Sequence, residues 1–503
     1  MDNQHLLLFQ IGPVQEFIAQ AATPEDLWAG SYLLSTLVKA GLDVVSDVRN
    51  AAIFPNLSDE KIEEALTRNI PTLPNRFLVR VKGLEEGKEI AHKAADAVRA
   101  KLLAYDRPEI PGFRRQLEQF LSVTWVVCAE TGNMGDDYKR LSAQLAARRN
   151  VRDFAAWTED AAVVHAPKDF LSGKEAALRN RRGALNLVKQ SLVKERAYSA
   201  GVKVVAKSAQ PYYAVIAFDG DRMGVKLSGF TKLEEHRTFS GALAAFALCV
   251  ENAIDEASNE QGTLVYAGGD DVLAVVPATC ALECAKVLRR KFSEIVGPDM
   301  TASSGIAIGH VKEPFQDLVK AAQMAEHRAK NTYGRNAVTV TALKRSGETL
   351  EWGFRWGDDL EKTVAFVLFK KIRELTGGVA KHDAPDAPLS GRFPYKLAAL
   401  LRPYALTKRV DEELPKKNEQ SKENAVVTMK DVVLAEFNHA WEQSRGNSGL
   451  AVPSEVEAYL DETFGKGASE DSTKEDSPKG RPEDFLNLFL CETFIDRSRE
   501  ERD

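Results

Sequence analysis

The sequence predicts an α+β protein built on two mixed sheet-and-helix domains, and two observations carry the prediction. From Tyr212, apolar strands and amphipathic helices follow in the order βαββαβ, the ferredoxin-like split unit. Ahead of it, a first alternation of strands and helices runs over about 130 residues, a normal domain size. Polar, mainly helical segments lie between and after these units. The expected boundaries are 1–130, 131–205, 206–350 and 351–503, in line with about 100–200 residues per domain.

In the first domain, His5 to Ile11 is a short apolar strand that stops at Gly12-Pro13. Val14 to Ala22 and Asp26 to Val45 have helical apolar spacing. Ile53-Phe54-Pro55, Arg76 to Val81 and Thr124 to Cys128 read as strands, with helices over Asp59 to Arg68 and Glu85 to Tyr105. Asp136 to Ala197 is polar and mostly helical, and holds the most basic stretch, Arg179-Asn180-Arg181-Arg182 with Lys189, Lys194 and Arg196. No aromatic residues interleave these charges, so a solvated helix face explains them better than a nucleic-acid patch.

The second unit contains a strand (Tyr212 to Phe218), a helix (Glu234 to Glu256), a hairpin (Thr263 to Val276) and a helix (Leu282 to Val296). A strand (Ala302 to Ile308), a helix (Phe315 to Tyr333) and a strand (Ala337 to Thr341) complete it. In a split unit the first and third strands are central, adjacent and antiparallel. The end of the first strand therefore lies beside the hairpin turn. Beyond it, Trp352 to Asp503 is helical in character, with helices over Thr363 to Leu375 and Val426 to Gln443. Two charged segments of low apolar content, Val410 to Ala425 and Gly465 to Asp484, interrupt it, and the second has a disorder-prone composition.

This topology gathers carboxylates at one sheet edge. The first strand ends in Phe218-Asp219-Gly220-Asp221-Arg222-Met223-Gly224, and the hairpin turn is Gly268-Gly269-Asp270-Asp271. Asp219 and Asp221, two apart on an extended chain, share a face. Glycines permit the tight turn and a close approach of ligand to backbone, although Gly and Asp also serve plain turns. Carboxylates a few Å apart repel and raise one another's pKa, a conflict that a divalent cation removes. Asp219 and Asp270 are the first expected ligands, with Asp271 and Asp221 as further ligands or as supports of the first pair. Lys330 at a helix end and Arg335 just past Gly334 could each bind phosphate, as two-metal transfer at a nucleoside triphosphate requires, although as isolated residues they read first as ordinary helix C-terminal cations.

Other classes find little support. A net charge of -6 rules out an all-over nucleic-acid footprint. Five scattered cysteines without a CxxC pair make no disulfide framework and point to a reducing cytoplasm. Cys280 and Cys284, one helical turn apart, lack a nearby His and read as core residues. No signal core or membrane-length apolar run is present. His382-Asp383 resembles a phosphohydrolase pair but has no second His motif at useful spacing, and His236, His310 and His327 read as structural.

The residues resemble the large, polymerase-like subunit of type III CRISPR effector complexes, in particular the Cmr-type subunit. The resemblance rests on Phe9-Gln10-Ile11-Gly12-Pro13-Val14-Gln15-Glu16-Phe17-Ile18, Asp26-Leu27-Trp28-Ala29-Gly30-Ser31-Tyr32-Leu33-Leu34-Ser35 and Pro74-Asn75-Arg76-Phe77. It continues through the Asp219 and Gly268 to Asp271 motifs, Ser304-Gly305-Ile306-Ala307-Ile308-Gly309-His310 and Tyr333-Gly334-Arg335-Asn336.

The resemblance implies two ferredoxin-like palm domains of the GGDD cyclase and polymerase type. The first would be non-catalytic and nucleotide-binding, and the second catalytic. A helical linker domain and a helical C-terminal domain for subunit contacts complete the chain. It implies joining of ATP, with Mg²⁺ or Mn²⁺, into cyclic oligoadenylates when a complex with other effector subunits and guide RNA holds target RNA. Asp219, Asp270 and Asp271 would be catalytic, Asp221 would join them as a metal ligand, and Gly268, Gly269, Lys330 and Arg335 would bind nucleotide.

Three departures stand out. The chain starts at the first palm, so HD nuclease activity is not expected. No cysteine lies between Cys128 and Cys249, so the zinc site of the linker is expected to be lost. Thr23-Pro24-Glu25 stands where the family usually has basic residues. Alternatives are a dinucleotide cyclase of the diguanylate-cyclase kind, AMP transfer to another small acceptor, and a catalytically silent scaffold.

Overall fold

The computed structural model describes residues 4–14, 17, 21, 23–45, 52–56, 59–110, 112–151, 183–196, 211–375, 389–390, 392–404, 428–445, 449–464 and 482–497. The first domain contains β1 (His5–Gly12), α1 (Pro24–Leu42), β2 (Ala52–Phe54), α2 (Asp59–Thr67), β3 (Arg76–Val81), α3 (Leu84–Leu103), α4 (Phe113–Phe120) and β4 (Ser122–Ala129). Its four strands form an antiparallel sheet in the order β2-β3-β1-β4. Thr23 starts α1 by accepting the N–H of Asp26, and Pro24, which has no N–H to lose, follows it.

Two helices lead to the second domain, α5 (Met134–Asn150) and α6 (Ala184–Arg196). α6 packs on α1. Lys189 is fully buried, with its ammonium 3.8 Å from the centre of the Phe17 ring, so it is a core cation. The stretch Arg179 to Arg182 lies outside the described residues, as do most of the helix expected over Val14 to Ala22 and the pair His382-Asp383.

The second domain runs through β5 (Tyr212–Gly220), α7 (Met223–Gly229), α8 (Leu233–Ser258), β6 (Thr263–Gly268), β7 (Asp271–Pro277) and α9 (Ala281–Val296). It continues with β8 (Ala302–His310), α10 (Phe315–Asn331), β9 (Ala337–Leu343) and β10 (Thr349–Arg355). The sheet order is β10-β9-β8-β5-β7-β6, so the expected central pair β5 and β7 is present and antiparallel. β8 and β9 run parallel, joined by α10. The sheet continues to Arg355, where the sequence suggested helix from Trp352; Trp352 and Phe354 are buried there, against helices the sequence does not link to a strand.

β5 is buried on both faces, and its alternation decides what each face meets. Tyr212, Ala214, Ile216 and Phe218 pack with Phe246 of α8 and Phe292 of α9. Tyr213, Val215 and Ala217 share a core with Phe315 and Leu318 of α10 and with Phe9, Trp28 and Phe77 of the first domain. The first domain thus closes the second face of this sheet. Polar links reinforce this: Asn56 donates its side-chain N–H to Arg237 O and its main-chain N–H to Ser240 Oγ, both at 2.9 Å.

Five further helices follow, α11 (Val364–Leu375), α12 (Phe393–Leu401), α13 (Met429–Ser444), α14 (Ser454–Phe464) and α15 (Pro482–Arg497). Phe366, Phe393, Phe437, Trp441, Phe485 and Phe489 join the core behind the second sheet. The low-apolar segment expected to end at Asp484 gives way to α15 at Pro482, and Asp484 is buried.

Candidate active site

Strand parity places the carboxylates. On β5 and β7, Phe218 is paired with Val272, so Asp219 and Asp271 lie one step further along two antiparallel neighbours. Both have the parity of Ala217 and Leu273, on the face toward α10 and the first domain. Between β6 and β7 the turn needs Gly269, whose φ is +80°, and a side chain on Gly268 would collide with the Tyr266 hydroxyl. Asp270 follows on that turn, half-buried, and Asp271 reaches solvent at the rim.

Charge is unbalanced here. Partial burial and then the charge of Asp219 push the Asp270 carboxyl up to about 7, with Lys330 and Arg76 pulling the other way. The surrounding protein and then Asp219, Asp270 and Glu326 push Asp271 to about 8. Because the Asp271 side chain meets water, the neighbouring charges are the firmer cause of that upward direction. Burial, then Asp271, Asp270 and Asp219, holds the Tyr266 phenol well above its ordinary value.

The cation that answers these groups comes from α10. Gly305 of β8 lets that helix lie directly against the sheet: a Cβ there would overlap Ala322 O and Glu326 N. The close approach brings Lys330, in the last turn, onto Asp219 as an ion pair, and Lys330 also meets Glu326, four residues back, at 2.7 Å. Burial would lower the Lys330 pKa, but these two carboxylates outweigh it and raise it.

Asp221 has a different setting. β5 ends at Gly220, so the expected common face of Asp219 and Asp221 is not maintained by an extended chain. Asp221 is 4% exposed, and its Oδ2 accepts from Thr301 Oγ1 at 2.8 Å and from Asn336 N–H at 2.9 Å. Its Oδ1 accepts from Ser303 Oγ at 2.8 Å. Both oxygens are engaged by the protein, which makes Asp221 an anchor for the loop and for Asn336. Arg335 sits half-buried on the same turn, past Gly334.

Asp219, Asp270 and Asp271 come together with Lys330, while Asp221 stands behind them. Glu326, Tyr266 and Arg76 join them without having been singled out from the sequence. The Glu326 to Lys330 spacing on one helix was a usable signal. Arg76, from the first domain, had no local signal, because only the docking of two domains brings its charge near Asp270. His310 accepts the Lys312 N–H at 3.0 Å as a structural residue, and the five cysteines are free.

Among the described residues no three His, Cys, Asp or Glu side chains form a ready metal cage. The donor chemistry nonetheless suits a hard divalent cation: carboxylate oxygens only, mutually repelled, with one ammonium on Asp219 as the present counter-charge.

Residues 212–339 match the family described as Cas10/Cmr2, second palm domain, and residues 6–105 match CRISPR-associated protein Cmr2, N-terminal. The CRISPR system Cmr subunit Cmr2 of Pyrococcus furiosus is 32% identical over 201 residues, covering 34% of this chain and 23% of that protein. A CRISPR system single-strand-specific deoxyribonuclease Cas10/Csm1 (subtype III-A) of Mycobacterium tuberculosis is 29% identical over 147 residues, covering 29% of this chain and 16% of that one. The matched stretches thus span less than a quarter of either relative.

In fold, the chain is similar to a subunit of the apo type III-B Cmr-beta complex, with TM-score 0.62 at 12% identity over 98% of this chain and 81% of that one. It is also similar to a chain of the Csm1–Csm4 subcomplex of a type III-A interference complex, with TM-score 0.55 at 15% identity over 98% and 70%. No helix among the described residues is long and apolar enough to cross a membrane. Two separate parts of the chain are thus similar to CRISPR-associated families, residues 6–105 to the Cmr2 N-terminal domain and residues 212–339 to the Cas10/Cmr2 second palm domain.

Proposed function

We propose that the chain is the large subunit of a type III CRISPR effector complex and that its second palm converts ATP into cyclic oligoadenylates when the complex holds target RNA. The observation that carries this reading is the group Asp219, Asp270 and Asp271 at one sheet edge, with the Asp270 and Asp271 carboxyls shifted upward and Lys330 paired with Asp219 as counter-charge. Asp219 and Asp270, with Asp271, would hold Mg²⁺ or Mn²⁺, which would lower the pKa of an attacking hydroxyl and neutralise the leaving pyrophosphate.

The chain's own residues supply position and charge. The glycine turn at Gly268-Gly269 leaves room for a nucleotide close to the backbone. Lys330 and Arg335 would supply cationic contacts to the triphosphate, Lys330 being freed from Asp219 to the extent that a metal would take over that carboxylate. The 3′-oxygen of one ATP bonds to the α-phosphorus of another, the α–β bridging bond breaks, pyrophosphate leaves and the hydroxyl proton is lost to water. Repetition and ring closure give the cyclic product.

The first domain already covers the sheet face that a second identical palm would need, which favours this reading over a dinucleotide cyclase that pairs two copies. An acidic chain with one modest basic stretch leaves the guide and target RNA mainly to partner subunits. The test is incubation with ATP and Mg²⁺ or Mn²⁺, with and without guide complex and target RNA, and product identification by mass spectrometry, with GTP as the competing sole substrate. Cyclic oligoadenylates from ATP only with target RNA are expected. An assembled complex that binds neither Mg²⁺ nor ATP would leave a scaffold.

A further inference from the structure

Gly334, Arg335 and Asn336 have φ values of +74°, +66° and +47°, three successive residues in the left-handed region of which two carry side chains. Such a run persists only where its surroundings hold it. Asn336 is held on every side: its N–H donates to Asp221, and its Oδ1 accepts from Arg289 Nε at 2.6 Å. Its Nδ2 donates to Trp356 O at 3.1 Å, and its carbonyl accepts the Trp356 N–H at 2.7 Å. On the other side of Arg335, Tyr333 is buried with its ring against Gly353, and its hydroxyl donates to Asp484 Oδ2 at 2.6 Å. Asp484 is 1% exposed in the first turn of α15. The family match to the palm ends at residue 339, so Trp356 and Asp484 lie outside the palm proper.

We infer that Tyr333 and Asp484 are a positioning pair through which the C-terminal helix α15 holds the Gly334-Arg335-Asn336 turn, and with it Arg335 and the end of the Lys330 helix, in register for a nucleotide triphosphate. The inference rests on the nucleotidyl-transfer reading and deepens it: the phosphate-binding turn is completed by the C-terminal domain. A phosphate-binding guanidinium displaced by about 1 Å loses much of its contact, so loosening the turn acts on nucleotide before metal.

The test uses the full chain with AMPPNP and Mg²⁺ for nucleotide binding, and Mn²⁺ alone for metal binding. Tyr333→Phe removes one hydroxyl at constant shape, and Asp484→Ala removes the acceptor. Each is expected to weaken AMPPNP about tenfold, the worth of one buried hydrogen bond to a charged group, with Mn²⁺ affinity unchanged. The double variant should lose no more than either single one, and Asp484→Asn, which keeps a neutral acceptor, should lose less than Asp484→Ala. Parental AMPPNP affinity in Tyr333→Phe would overturn the pairing alone, even where Asp484→Ala does not fold, and where it does fold additive losses in the double variant would overturn it too. Failure of the unaltered chain to bind AMPPNP would overturn the nucleotide reading and this inference with it.

Discussion

The main-chain N–H of Asn336 donates to the Asp221 carboxylate at 2.9 Å and ties the loop after β5 to the turn after α10. Removing that carboxylate by Asp221→Ala leaves the hydroxyls of Thr301 and Ser303 and the Asn336 N–H without their acceptor. The variant should lose about 2–3 kcal/mol of stability, read by urea denaturation. Asp219→Ala, at a partly exposed position beside like charges, should stay close to the parent in stability while losing product formation. Equal stability of Asp221→Ala and the parent would refute the anchoring role.

Asp270→Asn and Asp271→Asn each remove one of several carboxylates that repel in the absence of metal. Both should leave the metal-free chain as stable as the parent or more so, by about 1 kcal/mol, in thermal unfolding without divalent ions. Both should weaken Mn²⁺ binding at least tenfold and abolish oligoadenylate synthesis. A normal product yield from the double variant would end the metal assignment.

Lys330 is expected to divide the two ligands. Its ammonium competes with a divalent ion for Asp219, so Lys330→Ala should tighten Mn²⁺ binding by about threefold to tenfold, a modest effect for a pair that water reaches. The same change removes a phosphate cation and should weaken AMPPNP about tenfold or more. Titration calorimetry of each ligand separately gives both signs; a loss for metal as well as nucleotide would mean that Lys330 holds the site together.

The parts of the fold and site readable in the sequence are those fixed by short-range pattern. The apolar run Tyr212 to Phe218 and the Gly-Gly-Asp-Asp turn place Asp219, Asp270 and Asp271, because strand alternation and a glycine turn are local. For Asp221 alternation left two roles open, ligand or support, because it fails one residue past the end of β5, where the side chain turns into the protein and meets Thr301, Ser303 and Asn336. β10 escaped notice because Trp352 and Phe354 are buried by helices distant in sequence, so no exposed face marks the strand. Arg76 and Asp484 reach the site only through domain docking, for which a single sequence carries no periodic signal.

His236 gives a pH prediction independent of the carboxylates. It is 1% exposed between the rings of Tyr138, 5.1 Å away, and Phe230, 5.5 Å away, and among the described residues neither ring nitrogen has a partner in good hydrogen-bond geometry. Burial lowers its pKa in the fold, and the nearby Leu227 main chain offsets this only in part. Above about pH 6.5 both folded and unfolded chains hold it neutral, with no effect on stability. As pH falls below that value the unfolded chain takes the proton first, so stability drops until the folded pKa is passed and then changes no further through this group. His236→Phe keeps the aromatic packing without the titration. Urea midpoints at about pH 7.5 and 5.5 should therefore fall less for the variant than for the parent, other groups titrating alike in both. Because Tyr138 belongs to α5 and His236 to α8, the acid sensitivity should appear as loosening of the linker helix from the second domain, visible as faster amide exchange in α5. Identical midpoint shifts in parent and variant would show that the imidazole finds a proton-stabilising partner in the folded chain.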